Sequence, residues 1–267
     1  MAEDKLAALR EILAGMGRVA VAVSGGVDSL TLATAAHRAL GAAAVMHHAV
    51  SPAVPPAATA RTRALAGAEG WRLDVFEAGE FADPDYRANP VNRCFFCKTN
   101  LYAAIAARTD AQILSGTNLD DLGEYRPGLQ AAVAHSVRHP FVEAGIDKAM
   151  VRRLAARLGL GALAELPAAP CLSSRVETGI AIEPAVLSMI DRAENLLRAR
   201  LRPRTVRLRV RASGLVVELD AEALDRLEPA RMLLEDEIAL LATATGLHRP
   251  VSFAAYRTGS AFVGAPA

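Results

Sequence analysis

A buried strand that runs straight into a glycine turn limits this chain more than any other feature. Arg18 to Val23 (RVAVAV) is an unbroken apolar run, the pattern of a strand covered on both faces in a parallel sheet. Ser24-Gly25-Gly26-Val27-Asp28-Ser29 follows, and a helix is expected from about Asp28 to Leu40. Gly25 and Gly26 let the backbone turn sharply and approach a ligand closely. The amides from Gly25 through Val27 to Ser29 then converge at a helix N-terminus, a ready anion site. Ser24 and Ser29 add hydroxyl donors. Asp28 repels phosphate directly, so its expected role is to hold a magnesium ion that bridges to it. The turn lacks the GK[ST] ending of a Walker loop and the spaced glycines of a dinucleotide fingerprint.

The chain around this turn alternates strand and helix. Ala43 to His48, Arg72 to Phe76 and Ala111 to Leu114 read as strands. Ala57 to Glu69 and Phe96 to Arg108 read as helices. This order predicts a doubly wound, mostly parallel α/β sheet. Past Gly179 the pattern becomes a long helix, Glu183 to Arg200, then strand-like runs at Thr205 to Val210, Leu215 to Leu219 and Val251 to Tyr256. A smaller α+β domain is therefore expected over 181–267, after a first domain over 1–180. The net charge of +1 offers no footprint for an extended nucleic acid, so a small ligand is favoured. The acidic start reads as an amphipathic helix rather than a signal peptide, and no run of about 18 apolar residues predicts a membrane span. A cytoplasmic location is expected.

In a reducing compartment the three cysteines are not expected to form disulfides. Cys94 and Cys97 form a C-x-x-C in NRCFFCK, and Cys171 lies in PCLSSR. The pair suits a redox couple, half a zinc site or part of an iron–sulfur site, and three inert core thiols are the plain alternative. Three thiolates with one open position suit a 4Fe–4S cluster. Ser115-Gly116-Thr117-Asn118-Leu119-Asp120-Asp121 follows the fourth strand, where ligands of doubly wound sheets bind. Gly116 and Thr117 are candidates for phosphate or ribose, Asp121 for magnesium, and Arg126 for an anion. The acidic pair reads equally as a solvated turn. Arg207, Arg209 and Arg211 alternate onto one strand face, as an anion site, a solvated surface or an intersubunit salt-bridge row.

SGGVDS resembles the signature of the PP-loop ATP pyrophosphatases, which cut ATP between its α and β phosphates. SGGVDS, NRCFFCK, GTNLDDLGEYRPG, PFVEAGIDKAMVRRLA, PCLSSR, LRVR and YRTGS occur in the order seen in the LarE family of sulfur transferases, from about Leu6 to Ser260. That resemblance implies an adenine nucleotide alpha hydrolase-like fold. It also implies ATP-dependent adenylation of a carboxylate of pyridinium-3,5-biscarboxylic acid mononucleotide, then thiocarboxylate formation, for a nickel-pincer cofactor. It makes Cys171 the sulfur-bearing residue, with Cys94 and Cys97 pointing to the branch whose three cysteines hold a 4Fe–4S cluster. It implies sulfide or another sulfur donor, a homo-oligomer, and Arg175, Arg209 and Arg211 at the mononucleotide. A tRNA thiolase, an amidotransferase or ligase of the same superfamily, and a nucleotide-binding sensor are the alternatives.

Overall fold

The computed structural model describes residues 2–123, 125–167 and 170–257. Glu124 of the DDLGEYRPG motif, Ala168 and Ala169 before PCLSSR, and Thr258 to Ser260 of YRTGS lie outside the described residues. The chain divides into two compact units, Met1–Asp83 with Asn92–Ala169, and Pro84–Val91 with Pro170–Ala267.

The first unit runs α1 (Ala2–Ala14), β1 (Val19–Ala22), α2 (Val27–Leu40), β2 (Ala44–Ala49), α3 (Pro56–Glu69) and β3 (Arg72–Phe76). After the second unit's one-turn α4 (Pro84–Arg87) it resumes with α5 (Arg93–Ala106), β4 (Gln112–Leu114), α6 (Gly128–Ala134), α7 (Pro140–Glu143) and α8 (Lys148–Arg157). The strands form one sheet in the order β3-β2-β1-β4, every neighbouring pair parallel. The α/β expectation holds, and the period of two explains how the sheet is covered. Val19 and Val21 point into a core with Leu9, Leu30, Ala33, Met46 and Leu154. Ala20, between them, points into the opposite core with Phe76, Tyr102, Ile105 and Ala131. Both faces are therefore dry, which is why this strand carries no polar alternation. Two hydroxyls buried in α2 are satisfied within the helix: Thr31 donates to the Val27 carbonyl at 2.7 Å and Thr34 to that of Leu30 at 2.9 Å.

The second unit contains α9 (Pro184–Leu201), β5 (Val206–Arg211), β6 (Gly214–Leu219), α10 (Ala221–Asp225), α11 (Arg231–Thr243) and β7 (Val251–Ala255). β5 and β6 pair antiparallel, and β7 joins β6 in parallel. The chain changes unit at Pro170 rather than near 180. PCLSSR belongs with α9 and β5 because Arg175 pairs with Glu194 of α9 and Val176 bridges to Val210. The segment 84–91 joins them through Asn89, whose side-chain amide donates to the carbonyls of Glu177 at 2.9 Å and Ile180 at 2.8 Å. Among the described residues no helix is long and apolar enough to cross a membrane.

Candidate active site

In the first unit β1 and β4 lie side by side, while β1 connects to β2 on its other flank. The crevice outside their carboxyl ends is the topological switch point, the place where open α/β sheets bind ligands. SGGVDS leaves β1 there, and Ser115 to Asp121 leaves β4 beside it.

The turn is tied by its own hydroxyls. Ser29 Oγ accepts from the Ser24 amide at 3.1 Å and donates to the Gly26 carbonyl at 3.1 Å. The Ser24 and Ser29 hydroxyls lie 3.1 Å apart. Gly26 caps α2 with extended backbone and no side-chain cap, so the first amides of the helix face outward toward the crevice. Gly25 sits at φ +80, and a Cβ there would stand 2.7 Å from the Ala58 carbonyl oxygen of α3. Gly116 is equally constrained: its Cβ would stand 2.9 Å from the Ser29 nitrogen, so the β4 loop lies directly on the start of α2. Both glycines let protein backbone approach protein backbone, where the sequence suggested close approach to a ligand. Val27 turns its side chain into the core and leaves only its amide on the ligand side.

Asp28 is held by two donors from later in the chain. The Asn118 side-chain amide donates to Oδ1 at 3.3 Å, and the Lys148 ammonium pairs with Oδ2. Lys148 was not singled out in the sequence, although a signal exists. It opens α8 just after the N-cap Asp147, which accepts from the Met150 amide at 2.7 Å. A lysine in a first turn opposes the helix dipole, so it needs an acidic partner nearby. Asp121 accepts from the Asn118 amide at 3.0 Å and pairs with Arg126 at 2.7 Å. Both residues thus tie the loop, where the sequence suggested magnesium for Asp121 and an anion for Arg126. Ser115 Oγ lies 3.0 Å from Thr117 Oγ1 and 2.8 Å from His139 Nδ1. Burial holds the His139 pKa below its usual value, so the ring is neutral near pH 7. His48 of β2 lies 2.8 Å from the Val23 carbonyl and 2.9 Å from the Thr59 hydroxyl, which fastens α3 against the turn.

The cysteines divide between the units. Cys94 and Cys97 lie near the start of α5, which begins three residues before the expected Phe96, and at i and i+3 they share a helix face. Cys171 is exposed at the head of the PCLSSR turn in the second unit. Neither unit alone completes a three-cysteine donor set, and among the described residues no three His, Cys, Asp or Glu side chains gather as a metal site. The structure therefore supplies no step through a cluster.

The second-unit arginines depart from expectation. Arg175 is 2% exposed. Its guanidinium grips Glu194 through two bonds of 2.9 and 3.1 Å and donates to the Pro170 carbonyl at 2.7 Å. It is an internal strut that shapes the Cys171 turn, not a residue presented to substrate. Arg209, 5% exposed, donates to Glu218 at 2.9 Å and to the Ser174 carbonyl at 2.8 Å. Arg211 reaches the other oxygen of Glu218 at 2.6 Å and keeps partial exposure. The row is thus neither a solvated surface nor a set of free anion receptors; Glu218, on the next strand, satisfies two of its members. Arg207 lies over the Tyr256 ring at 5.8 Å, and burial pushes its pKa down.

A four-stranded parallel sheet with SGGVDS at its switch point is the α/β architecture of a PP-loop-like fold. No protein-family model matches the chain. It belongs to one family with the uncharacterized protein slr1717 of Synechocystis, 39% identical over 230 residues and 85% of each chain. The uncharacterized protein MJ0830 of Methanocaldococcus jannaschii is 30% identical over 114 residues, 41% of this chain and 44% of that one. A more distant relative is the pyridinium-3,5-bisthiocarboxylic acid mononucleotide synthase of Lactiplantibacillus plantarum. It is 29% identical over 215 residues, covering 77% of this chain and 75% of its own.

Proposed function

We propose that this protein is an ATP-dependent sulfur transferase that adenylates a carboxylate of pyridinium-3,5-biscarboxylic acid mononucleotide and converts it to a thiocarboxylate. The observation that carries the reading is the SGGVDS turn at the β1–β4 switch point, with the Asp28 carboxylate at its mouth, in a chain related to a synthase of that chemistry. The turn amides and the Ser24 hydroxyl receive the ATP phosphates, while Ser29, which donates to the Gly26 carbonyl, braces the turn. Asp28 would hold magnesium, which when bound neutralises phosphate charge. Thr117 and the Gly116 amide line the same crevice on the nucleotide side. The substrate carboxylate attacks the α-phosphorus and pyrophosphate leaves. A sulfur nucleophile then attacks the acyl carbon and AMP departs with the C–O electron pair.

Cys171, exposed and held by the Arg175 strut, is the proposed sulfur-bearing thiol. The 4Fe–4S cluster expected from the three cysteines belongs to the same proposal. It rests on the cysteine pattern, and iron and sulfide content after anaerobic purification tests it. A homo-oligomer working in the cytoplasm completes the proposal. The deciding experiment incubates the protein with ATP, magnesium, a sulfur source and the dicarboxylate mononucleotide, and follows thiocarboxylate formation by mass spectrometry. Product without added sulfur and with dehydroalanine at 171 marks Cys171 as a consumed donor: its thioester loses the Cα proton, the Cβ–S bond breaks, and the electron pair leaves on the thiocarboxylate. No thiocarboxylate under either condition removes the assignment.

A further inference from the structure

The sequence gives no hint that Arg61 matters: it sits in an alanine-rich helix and reads as one more solvated cation. The structure places it against the turn. Its Nε donates to the Gly25 carbonyl at 2.9 Å, across 36 residues of chain. Among the described residues that carbonyl is its only polar partner, and no carboxylate pairs with it. The Nε bond fixes the plane of the guanidinium and leaves both terminal amino groups available. Because C=O and N–H point opposite ways across a trans peptide, holding the Gly25 carbonyl also sets the direction of the Gly26 amide.

Two other cations near the turn have carboxylate partners. Lys148 is matched by Asp28 and Arg126 by Asp121. Arg61 is left as an unmatched, half-buried cation. Burial, with no counter-charge, pushes its pKa down, so an anion arriving beside it would relieve that cost. Its helix is a firm support: Ala58 would be struck by any Cβ at Gly25, and Thr62 donates to the Ala58 carbonyl at 2.9 Å.

We propose that Arg61 is the pyrophosphate-binding cation of the site, holding the β and γ phosphates of ATP and the leaving pyrophosphate. The inference rests on the adenylation reading above. In that step the bond between the α-phosphorus and its bridging oxygen breaks, and the electron pair stays with pyrophosphate. A guanidinium at that end is worth more as the charge develops.

The test titrates inorganic pyrophosphate and, separately, AMP into the full-length protein with magnesium, comparing wild type, Arg61→Ala and Arg61→Lys by calorimetry. Loss of one charge-assisted contact weakens binding by roughly 10- to 100-fold. Arg61→Ala is therefore expected to lose that much pyrophosphate affinity and keep its AMP affinity. Arg61→Lys should fall between, and millimolar guanidinium should restore part of the affinity to Arg61→Ala. Unchanged pyrophosphate affinity in Arg61→Ala overturns the proposal. Equal loss of pyrophosphate and AMP overturns it too, because Arg61 would then only brace the turn. If wild type binds neither ligand, the adenylation reading itself fails and the Arg61 assignment with it.

Discussion

Gly25→Ala puts the geometry of the turn to a quantitative test. Gly25 has φ +80, and the added Cβ would lie 2.7 Å from the Ala58 oxygen and 2.9 Å from its Cβ. Two costs follow. Holding an L-residue at left-handed φ costs about 1–2 kcal/mol. Forcing α3 away from the turn costs about 1–3 kcal/mol more, the usual range for overpacking. Gly70 provides the control. It ends α3 at φ +72, where an added Cβ meets nothing within 4 Å. Gly70→Ala therefore pays the backbone cost alone, about 1–2 kcal/mol. Urea unfolding of both variants isolates the crowding as their difference, and ATP binding reports the turn. Gly25→Ala is expected to be the less stable by about 1–3 kcal/mol and to lose ATP binding, while Gly70→Ala keeps it. Equal stability losses, or normal ATP binding by Gly25→Ala, would refute the claim that the turn and α3 are in close contact.

Other outcomes follow from the same reasoning. Glu194→Gln should cost about 3–5 kcal/mol at pH 7, because it leaves Arg175 buried beside a neutral partner. Burial by itself would raise the Glu194 pKa, but the hydrogen bonds and charge of Arg175, with Arg198, hold it below normal. Its stabilisation is therefore complete above the unfolded glutamate range near 4.3 and is lost as pH falls through the lower folded value. Wild type should lose stability on acidification below about pH 5 more steeply than Glu194→Gln, and parallel denaturation profiles would contradict this. Cys171→Ala should still release pyrophosphate but form no thiocarboxylate; product from that variant would remove Cys171 from sulfur transfer. Anaerobically purified protein should carry about four irons per chain, lost on substitution of any one cysteine; absence of iron after reconstitution would reject the cluster.

The fold was legible where local pattern and burial agree. RVAVAV reads as a strand covered on both faces, and two glycines before a helix read as a tight turn. The long helix from Pro184 and the paired strands after it were equally plain, because each keeps one period over several residues. The first turn of α5 was missed because cysteine and phenylalanine are weak helix formers, and the helix there begins at the buried Arg93. Partners distant in sequence were not legible. Arg209 and Arg211 alternate as expected, but only the pairing of β5 with β6 brings Glu218 between them. Lys148 and Arg61 reach the turn from α8 and α3; the helix-opening position of Lys148 calls for an acidic partner without saying which, and the segment of Arg61 says nothing of what it faces. The change of unit at Pro170 likewise depends on contacts distant in sequence, Arg175 with Glu194, Arg209 with the Ser174 carbonyl and Val176 with Val210.

The most direct test of the central claim is pyrophosphate release. Purified protein is given ATP, magnesium and a sulfur source, with and without pyridinium-3,5-biscarboxylic acid mononucleotide, beside Asp28→Ala. The account predicts pyrophosphate and AMP in equal amounts, formed only when the mononucleotide is present, and neither from Asp28→Ala. Cleavage of ATP to ADP and phosphate, no cleavage with the mononucleotide present, or normal pyrophosphate release by Asp28→Ala would contradict it.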